Sequence, residues 1–192
     1  APHLEDNQIV MINGSGSMGS VRFKKVVDSL GINVPIKLCE TATLTYGTRK
    51  VGNMEVEIYL KAKKVLFSAY PSRYTDTLLK RCKELYESLE AASNVWEICL
   101  NNGNPESHPG PTLLNAGRIE FSGGNFYLYR EGITESVARL IQAISGERKA
   151  LCEALGINFI PIEKRLVRTG YCKPAEHLHQ MYQESDVFRM IK

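Results

Sequence analysis

The sequence has 192 residues, of which 43% are hydrophobic and 23% charged, and its formal net charge is +3. This composition is typical of globular domains and excludes a collagen, a coiled coil and a disordered tail. The small net charge gives no electrostatic reason to expect a nucleic-acid or membrane partner. No apolar run approaches the ~20 residues of a membrane-spanning helix, and the polar start of the chain does not resemble a signal peptide.

The cysteines and histidines give no sign of a metal site. The cysteines are scattered and odd in number, and none has C-x-x-C spacing, so we expect free thiols in a reducing cytoplasm. His177 and His179 lie two positions apart, and a helix would point them in different directions. We therefore predict no metal ligands. The cysteines are Cys39, Cys82, Cys99, Cys152 and Cys172.

The first half of the chain has the pattern of an α/β domain. Short apolar runs bounded by turn residues predict buried strands, and the alternation of apolar and polar residues from Met54 to Lys61 predicts a half-buried strand. Apolar residues spaced by three and four predict helices. In chain order, we expect a strand at Gln8–Asn13, a helix at Val21–Leu30, strands at Ile36–Cys39, Met54–Leu60 and (returning) Val65–Tyr70, and a helix at Thr75–Glu90.

The second half is predicted to be helical. Strand signals fade after about Ser93, and apolar positions at helical spacing dominate the rest of the chain. Gly146 is a candidate break or kink in the longest of these segments. The fold class is therefore α/β followed by all-α, with domains at 1–92 and 93–192. The helices are predicted at Thr112–Glu120, Thr134–Leu155 and Pro174–Ile191.

A glycine-rich turn follows the first predicted strand. Gly14, Gly16 and Gly19 form a G-x-G-x-x-G pattern before a predicted helix, and Glu40 follows about twenty residues later. Such a turn suits a dinucleotide, because the helix N-terminus offers free N–H groups to a pyrophosphate and the later carboxylate binds a ribose. A tight strand-to-helix turn without any ligand explains the same glycines equally well.

The stretch around His108 is the most unusual part of the second half. Asn102 and Asn104 precede this histidine, and Pro109 follows it, directly before a predicted helix start. A residue before proline favours an extended backbone, and an imidazole with a pKa near ~6.5 suits proton transfer at neutral pH. The alternative is a surface or capping histidine without a catalytic role.

The glycine turn, Glu40 and the stretch around His108 belong to a longer pattern. In this pattern the chain resembles the opine dehydrogenase family, which includes octopine, nopaline and carboxyethyl-norvaline dehydrogenases. The resemblance rests on His108-Pro109 followed by Pro111–Ala116, with Arg118 and Glu131–Thr134 further on, and it extends back to Gln8–Gly19 and to Glu40-Thr41 with Arg49. It implies the C-terminal part of a Rossmann-type nucleotide-binding domain plus a helical domain of the 6-phosphogluconate dehydrogenase type.

The resemblance also implies an activity and roles for residues. The family uses NADH or NADPH to reduce the imine between an amino acid and a 2-oxo acid, with the histidine matched by His108 as the acid/base group. Asn102 and Asn104 match asparagines that orient nicotinamide or substrate. Glu40, Thr41 and Arg118 are the remaining candidates for substrate or cofactor binding.

The resemblance further implies that the glycine pattern here is coincidental. The family's dinucleotide fingerprint lies on an earlier strand, and its carboxylate-binding arginine and the aspartate partner of the histidine lie beyond the position of Lys192. We therefore expect an incomplete chain that is inactive by itself. Two alternatives remain open, namely a compact NAD-binding enzyme or sensor that uses the glycine turn, and a non-enzymatic helical dimerisation module. We expect self-association or a homo-oligomer in any case, because an unpaired sheet edge and exposed apolar faces favour it.

Overall fold

A computed structural model describes residues 3–15 and 17–192. The chain forms two compact units. The first contains the described residues up to Thr45, Lys64–Asn102 and Gly156–Phe159, and the second contains Tyr46–Lys63, Gly103–Leu155 and Ile160–Lys192. The domain boundary at residues 92 and 93 stays a prediction, but Tyr46–Lys63 packs within the second unit although it precedes that boundary.

The secondary structure contains strands and helices up to Ala91 and is helical thereafter. A 3₁₀ turn lies at Ser72–Tyr74. The strands are β1 (Ile9–Ile12), β2 (Lys37–Thr41), β3 (Tyr46–Lys50), β4 (Val56–Lys61), β5 (Val65–Tyr70) and β6 (Leu89–Ala91). The helices are α1 (Gly19–Ser29), α2 (Thr75–Lys83), α3 (Val95–Leu100), α4 (Asn104–Ser107), α5 (Pro109–Leu114), α6 (Ala116–Phe121), α7 (Glu135–Ala154), α8 (Ile162–Thr169) and α9 (Leu178–Gln183).

The first unit is built on a mixed four-stranded sheet in the order β1-β2-β5-β6. β1 and β2 are parallel with α1 between them in sequence, and β5 and β6 are parallel with α2 between them. β2 and β5 pair in the antiparallel sense, with Cys39 opposite Ala69. The central strands carry the core, because Leu38, Cys39 and Phe67 are almost fully buried. The sheet and α1 confirm the α/β prediction for this part.

The helix predicted at Thr75–Glu90 was too long. α2 ends at Lys83, and Leu89 pairs with Val65 at the start of β6. The last apolar residue of the helical pattern therefore belongs to the sheet, where Leu89 is fully buried. A short strand inside a helical pattern is invisible to periodicity alone, because three residues carry too little signal.

β4 and β5 do not form the hairpin that the returning strand implied. β4 pairs with β3, and β5 pairs with β2 in the other sheet. The prediction of a half-buried β4 was also wrong in part. Leu60 is buried, but Val56 is 60% exposed and Ile58 is 61% exposed. The alternation of apolar and polar residues predicted β4 correctly. It did not predict the strand that pairs with β4, because no local pattern identified β3.

The second unit packs helices around an apolar core. α7 begins after Thr134, whose Oγ1 accepts a hydrogen bond from the Val137 backbone N–H, and it continues through Gly146 without a break. Gly156 follows with a φ of +64°, a conformation that glycine adopts without strain. The core residues are Tyr129, Ile133, Val137, Ala138, Ile141, Ile162, Leu166, Cys172, Leu178, Met181, Tyr182 and Phe188.

Two other helix predictions need correction. The helix predicted at Thr112–Glu120 is two helices, α5 and α6, which meet at Asn115. The Asn115 side-chain amide donates to the backbone oxygens of Pro111 and Gly132, so this residue ties the joint to a distant loop. The helix predicted at Pro174–Ile191 is reduced to α9, and α8 was not predicted. None of the helices in the described residues is long and apolar enough to cross a membrane.

Candidate active site

His108 lies at the joint between α4 and α5. Its backbone N–H donates to Asn104 and its carbonyl accepts from Thr112, each at 3.1 Å. Its φ of −108° and ψ of −55° are helical, so the prediction of an extended backbone before Pro109 was wrong. The hydrogen bonds on both sides outweigh the steric preference of a residue before proline. The backbone of His108 is thus held by helical hydrogen bonds on both sides.

The imidazole of His108 contacts a buried tyrosine. Its Nε2 lies 2.8 Å from the hydroxyl of Tyr129. Tyr129 is 6% exposed, and its ring stacks on Phe188 and Tyr182 at centroid distances of 4.4 and 5.7 Å. These aromatic contacts restrict the tyrosine ring, so the hydroxyl has a defined position against the histidine.

The surroundings favour the neutral forms of both groups. Burial lowers the pKa of His108 from its usual 6.5, because a desolvated imidazolium is disfavoured. Burial raises the pKa of Tyr129 to about 12, although the Arg49 guanidinium opposes this shift. At neutral pH, His108 is therefore a neutral base that accepts a proton, and Tyr129 keeps its own proton.

Two residues before His108, a buried carboxylate holds α4 in place. Glu106 is fully buried, and its Oε1 lies 3.0 Å from Nε of Arg148 while its Oε2 pairs with Arg165. Arg148 belongs to α7 and Arg165 to α8, so the carboxylate joins three helices. Burial raises the pKa of Glu106, and both guanidiniums oppose that shift. This ionic cluster fixes the turn of α4 that carries His108.

The other predicted site residues of the second unit are Asn104 and Arg118. Asn104 opens α4, one helical turn before His108, and is exposed. The Arg118 guanidinium lies 3.4 Å from Glu131 and over the Phe126 ring at 5.9 Å. Its side chain is 50% exposed. The structure therefore brings Asn104 and His108 onto one helical turn and gives Arg118 a surface ion pair.

Glu40 and Thr41 lie side by side on β2 in the first unit, and both contact the glycine turn. Glu40 is fully buried, and its Oε2 accepts a 2.7 Å hydrogen bond from the Ser20 backbone N–H. Thr41 Oγ1 accepts a 2.7 Å hydrogen bond from the Gly14 backbone N–H. Asn102 is also in this unit and is 5% exposed. The roles of these residues in binding stay predictions.

Two backbone amides in the first turn of α1 have acceptors within the chain. The Gly19 N–H donates to Ser15 Oγ at 2.8 Å, and the Ser20 N–H donates to Glu40. A carboxylate thus already lies at the positive end of the helix dipole, where a pyrophosphate would lie. Gly14 has a φ of +78°, and a Cβ there would lie 2.8 Å from Leu44, so the turn itself requires this glycine. Gly16 lies outside the described residues.

The contacts at this turn do not favour a dinucleotide pyrophosphate, and the role of Gly14, Gly16 and Gly19 in binding a cofactor stays a prediction. The helix-start amides of Gly19 and Ser20 have partners, and the carboxylate of Glu40 would repel a phosphate. This geometry favours the interpretation of the glycines as a strand-to-helix turn. Among residues 3–15 and 17–192, no group of three or more His, Cys, Asp and Glu side chains is placed to hold a metal ion.

Sequence reasoning missed Tyr129, Glu106 and Arg165. Tyr129 lies in an irregular segment between α6 and α7, where no periodicity assigns a direction to the side chain. Glu106 and Arg165 are 59 positions apart. A charged residue without a visible partner in the sequence is predicted to be exposed. Glu106 and Arg165 are buried because they pair with each other across two helices. The sequence offered one indication of these residues, which is that Glu106 lies two positions before the candidate histidine.

The comparisons with known proteins agree with this architecture. Residues 91–192 match the family model described as "NAD/NADP octopine/nopaline dehydrogenase, alpha-helical domain". The match covers more than half of the 192 residues. The chain belongs to the octopine/nopaline dehydrogenase family. The opine dehydrogenase of Arthrobacter sp. (strain 1C) is 27% identical over 191 residues, which is 100% of this chain and 52% of that protein.

Solved structures share the fold. Octopine dehydrogenase with NADH and L-arginine superposes with a TM-score of 0.66 at 17% identity, over 100% of this chain and 51% of that one. Yersinopine dehydrogenase with NADP⁺ superposes with a TM-score of 0.65 at 14% identity, over 97% and 49%. These matches confirm the predicted fold class. The chain spans about half the length of the relatives it matches.

Proposed function

We propose that the protein is an opine dehydrogenase, an oxidoreductase that acts on a CH–NH group. It joins the amine of an amino acid to a 2-oxo acid and reduces the product with NADH or NADPH. The observation that supports this most is His108, a neutral imidazole fixed at a helix joint inside the part of the chain that matches the family model. The substrates of relatives support the class, because octopine dehydrogenase structures contain L-arginine and pyruvate.

The reaction needs a group that moves protons near neutral pH. The amine adds to the carbonyl carbon of the 2-oxo acid, water leaves, and an imine forms. The nicotinamide cofactor supplies a hydride to the imine carbon. His108 takes the proton that the attacking ammonium must lose, and it returns a proton to the nitrogen as the imine is reduced. The lowered pKa of His108 suits the first of these steps, because the neutral base is present at neutral pH.

We infer that the 192 residues alone are inactive. The helix-start amides of Gly19 and Ser20 already donate within the chain, which supports a cofactor site other than this glycine turn. The relatives are about twice as long, which leaves room for that site and for the rest of the substrate pocket. The competing hypothesis of a compact NAD-binding enzyme or sensor requires this turn to bind NADH. Fluorescence titration with a Gly16→Ala control decides between the two, since only the competing hypothesis predicts tight binding that the substitution abolishes.

The activity test uses the full-length protein beside the 192-residue chain. Oxidation of NADH or NADPH is followed with an amino acid, with a 2-oxo acid, and with both together. We expect oxidation by the full-length protein only when both substrates are present, and none by the short chain. Turnover by the short chain would contradict the inference of inactivity. Oxidation with the 2-oxo acid alone would replace the proposed reaction with a simple ketone reduction.

We also propose that the chain associates with a second copy of itself. Three large apolar side chains lie exposed on α5 and α6, since Leu113, Leu114 and Phe121 are 74%, 61% and 90% exposed. An exposed apolar surface of this kind favours association in water. Sedimentation equilibrium is expected to give a dimer or larger species that Phe121→Ser weakens. A monomer at all concentrations would refute self-association and, with it, the alternative of a helical dimerisation module.

A further inference from the structure

Two cysteine thiols of the first unit lie against each other in its core. Cys39 is on β2 and Cys82 is on α2, and their Sγ atoms are 3.9 Å apart. This separation is too short for another atom to lie between the two sulfurs. The residues are 43 positions apart in the sequence, so the packing of α2 on the sheet brings them together. Both are free thiols, and the proposed function uses neither of them.

The sheet directs the Cys39 side chain toward α2. Successive side chains of a strand point to opposite faces, and the next residue, Glu40, contacts the start of α1 through the Ser20 backbone N–H. Cys39 therefore faces away from α1. Ala69 on β5 is directly opposite Cys39 and lies on the same face, where its methyl group occupies little of the space beside α2. Both residues are fully buried, so the thiol contact is part of the packed core.

The two thiols are not equivalent toward an oxidant. Cys39 is fully buried, but Cys82 is 6% exposed. The hydrogen bond with Cys39 lowers the pKa of Cys82, the Arg81 guanidinium adds to this shift, and burial opposes it. The same hydrogen bond and burial raise the pKa of Cys39. Because the thiolate is the form that attacks a peroxide, we expect Cys82 to react first.

We propose that Cys39 and Cys82 are a redox-active pair, which hydrogen peroxide converts into a disulfide between β2 and α2. The Cys82 thiolate attacks one peroxide oxygen, the O–O bond breaks, and a sulfenic acid and hydroxide form. The Cys39 sulfur then attacks the Cys82 sulfur and displaces its hydroxyl group, which leaves as water with the Cys39 proton. The first hydroxide takes the proton that Cys82 released. The two thiols together lose two electrons and two protons, and the peroxide is reduced to two waters.

The test exposes the folded full-length protein to hydrogen peroxide and then alkylates the remaining thiols in denaturant. Unreduced proteolytic peptides are analysed by mass spectrometry. We expect a cross-linked peptide that joins Cys39 to Cys82 and lacks two hydrogen atoms relative to the reduced peptides. Cys39→Ser removes the second thiol. With dimedone in the denaturant, we expect this variant to give a sulfenic acid adduct at Cys82, whereas Cys82→Ser gives none at Cys39.

Cys172 is the matched control, since it is also 6% exposed but burial raises its pKa to about 12. Each pKa unit changes the thiolate fraction about tenfold, so we expect Cys172 to be oxidised at least about tenfold more slowly than Cys82. Cys172→Ser is expected to leave the formation of the cross-link unchanged.

Three results would overturn the proposal: Cys82 that remains a thiol after the treatment, a disulfide that joins Cys39 or Cys82 to a different cysteine, and equal oxidation rates of Cys82 and Cys172. If a serine variant does not fold, the cross-linked peptides of the unsubstituted protein still decide. The result does not depend on the dehydrogenase activity, because the measurement detects sulfur chemistry alone.

Discussion

Replacing His108 by glutamine is expected to lower the kcat of reductive condensation by about 10²–10⁴-fold, the usual contribution of a general acid–base group. Glutamine is a polar side chain without a group that titrates near neutral pH, so we expect the loss to reflect proton transfer rather than a gap in the core. Because proton transfer occurs in the transition state, kcat and kcat/KM are expected to fall together. Steady-state kinetics of the full-length protein with both substrates measure the effect.

His3→Gln is the control for this substitution, because His3 is exposed. We expect it to leave kcat unchanged. Far-UV circular dichroism and urea unfolding establish that both variants keep their structure. A kcat for His108→Gln within about threefold of the unsubstituted protein would exclude His108 as the acid/base group, and the surface or capping role would then be the correct one.

Replacing Glu106 by alanine is expected to lower the free energy of unfolding by about 3–5 kcal/mol. The substitution leaves the guanidiniums of Arg148 and Arg165, which are only 13% and 11% exposed, without their shared carboxylate. Desolvation already opposes the charged form of Arg165, whose pKa burial lowers. The cost comes from the charges left behind, not from a large net stability of the intact cluster. Urea unfolding at neutral pH gives the difference.

Glu153→Ala is the matched control on the same unit. Glu153 pairs with Lys149 at 3.5 Å, but both side chains are more than half exposed. A surface pair of this kind contributes about 0–1 kcal/mol. Equal effects of the two substitutions would contradict the account of α4, because they would mean that Glu106 does not hold the turn that carries His108.

The parts of the fold that could be predicted from sequence are those with long, regular patterns. α7 was predicted within one residue at each end, because its apolar spacing is sustained, Thr134 caps it and Gly156 follows it. β6 and α9 were mispredicted because their extents depend on packing. The sheet takes Leu89 out of a helical pattern, and only Leu178–Gln183 stays helical within a longer amphipathic stretch. The periodicity of a segment does not show which other segments of the chain it packs against.

The residues of the candidate site also differ in whether they could be predicted from the sequence. His108 could be found from its neighbours and from the resemblance to a family, because both are properties of the local sequence. Tyr129 could not, since its relation to His108 arises from the fold of an irregular segment 21 positions away. The glycine turn shows the converse case. Its spacing matches a dinucleotide motif, but a motif does not show that Ser15 and Glu40 accept hydrogen bonds from its amides.

The most direct test of the proposed reaction is the fate of the transferred hydride. The full-length protein is supplied with an amino acid, a 2-oxo acid and nicotinamide cofactor that carries deuterium at the transferred position, and the product is analysed by mass spectrometry and NMR. We expect one deuterium on the former carbonyl carbon, which now bears the new C–N bond. Deuterium in a 2-hydroxy acid, or a product without a new C–N bond, would contradict the assignment of this protein as an opine dehydrogenase.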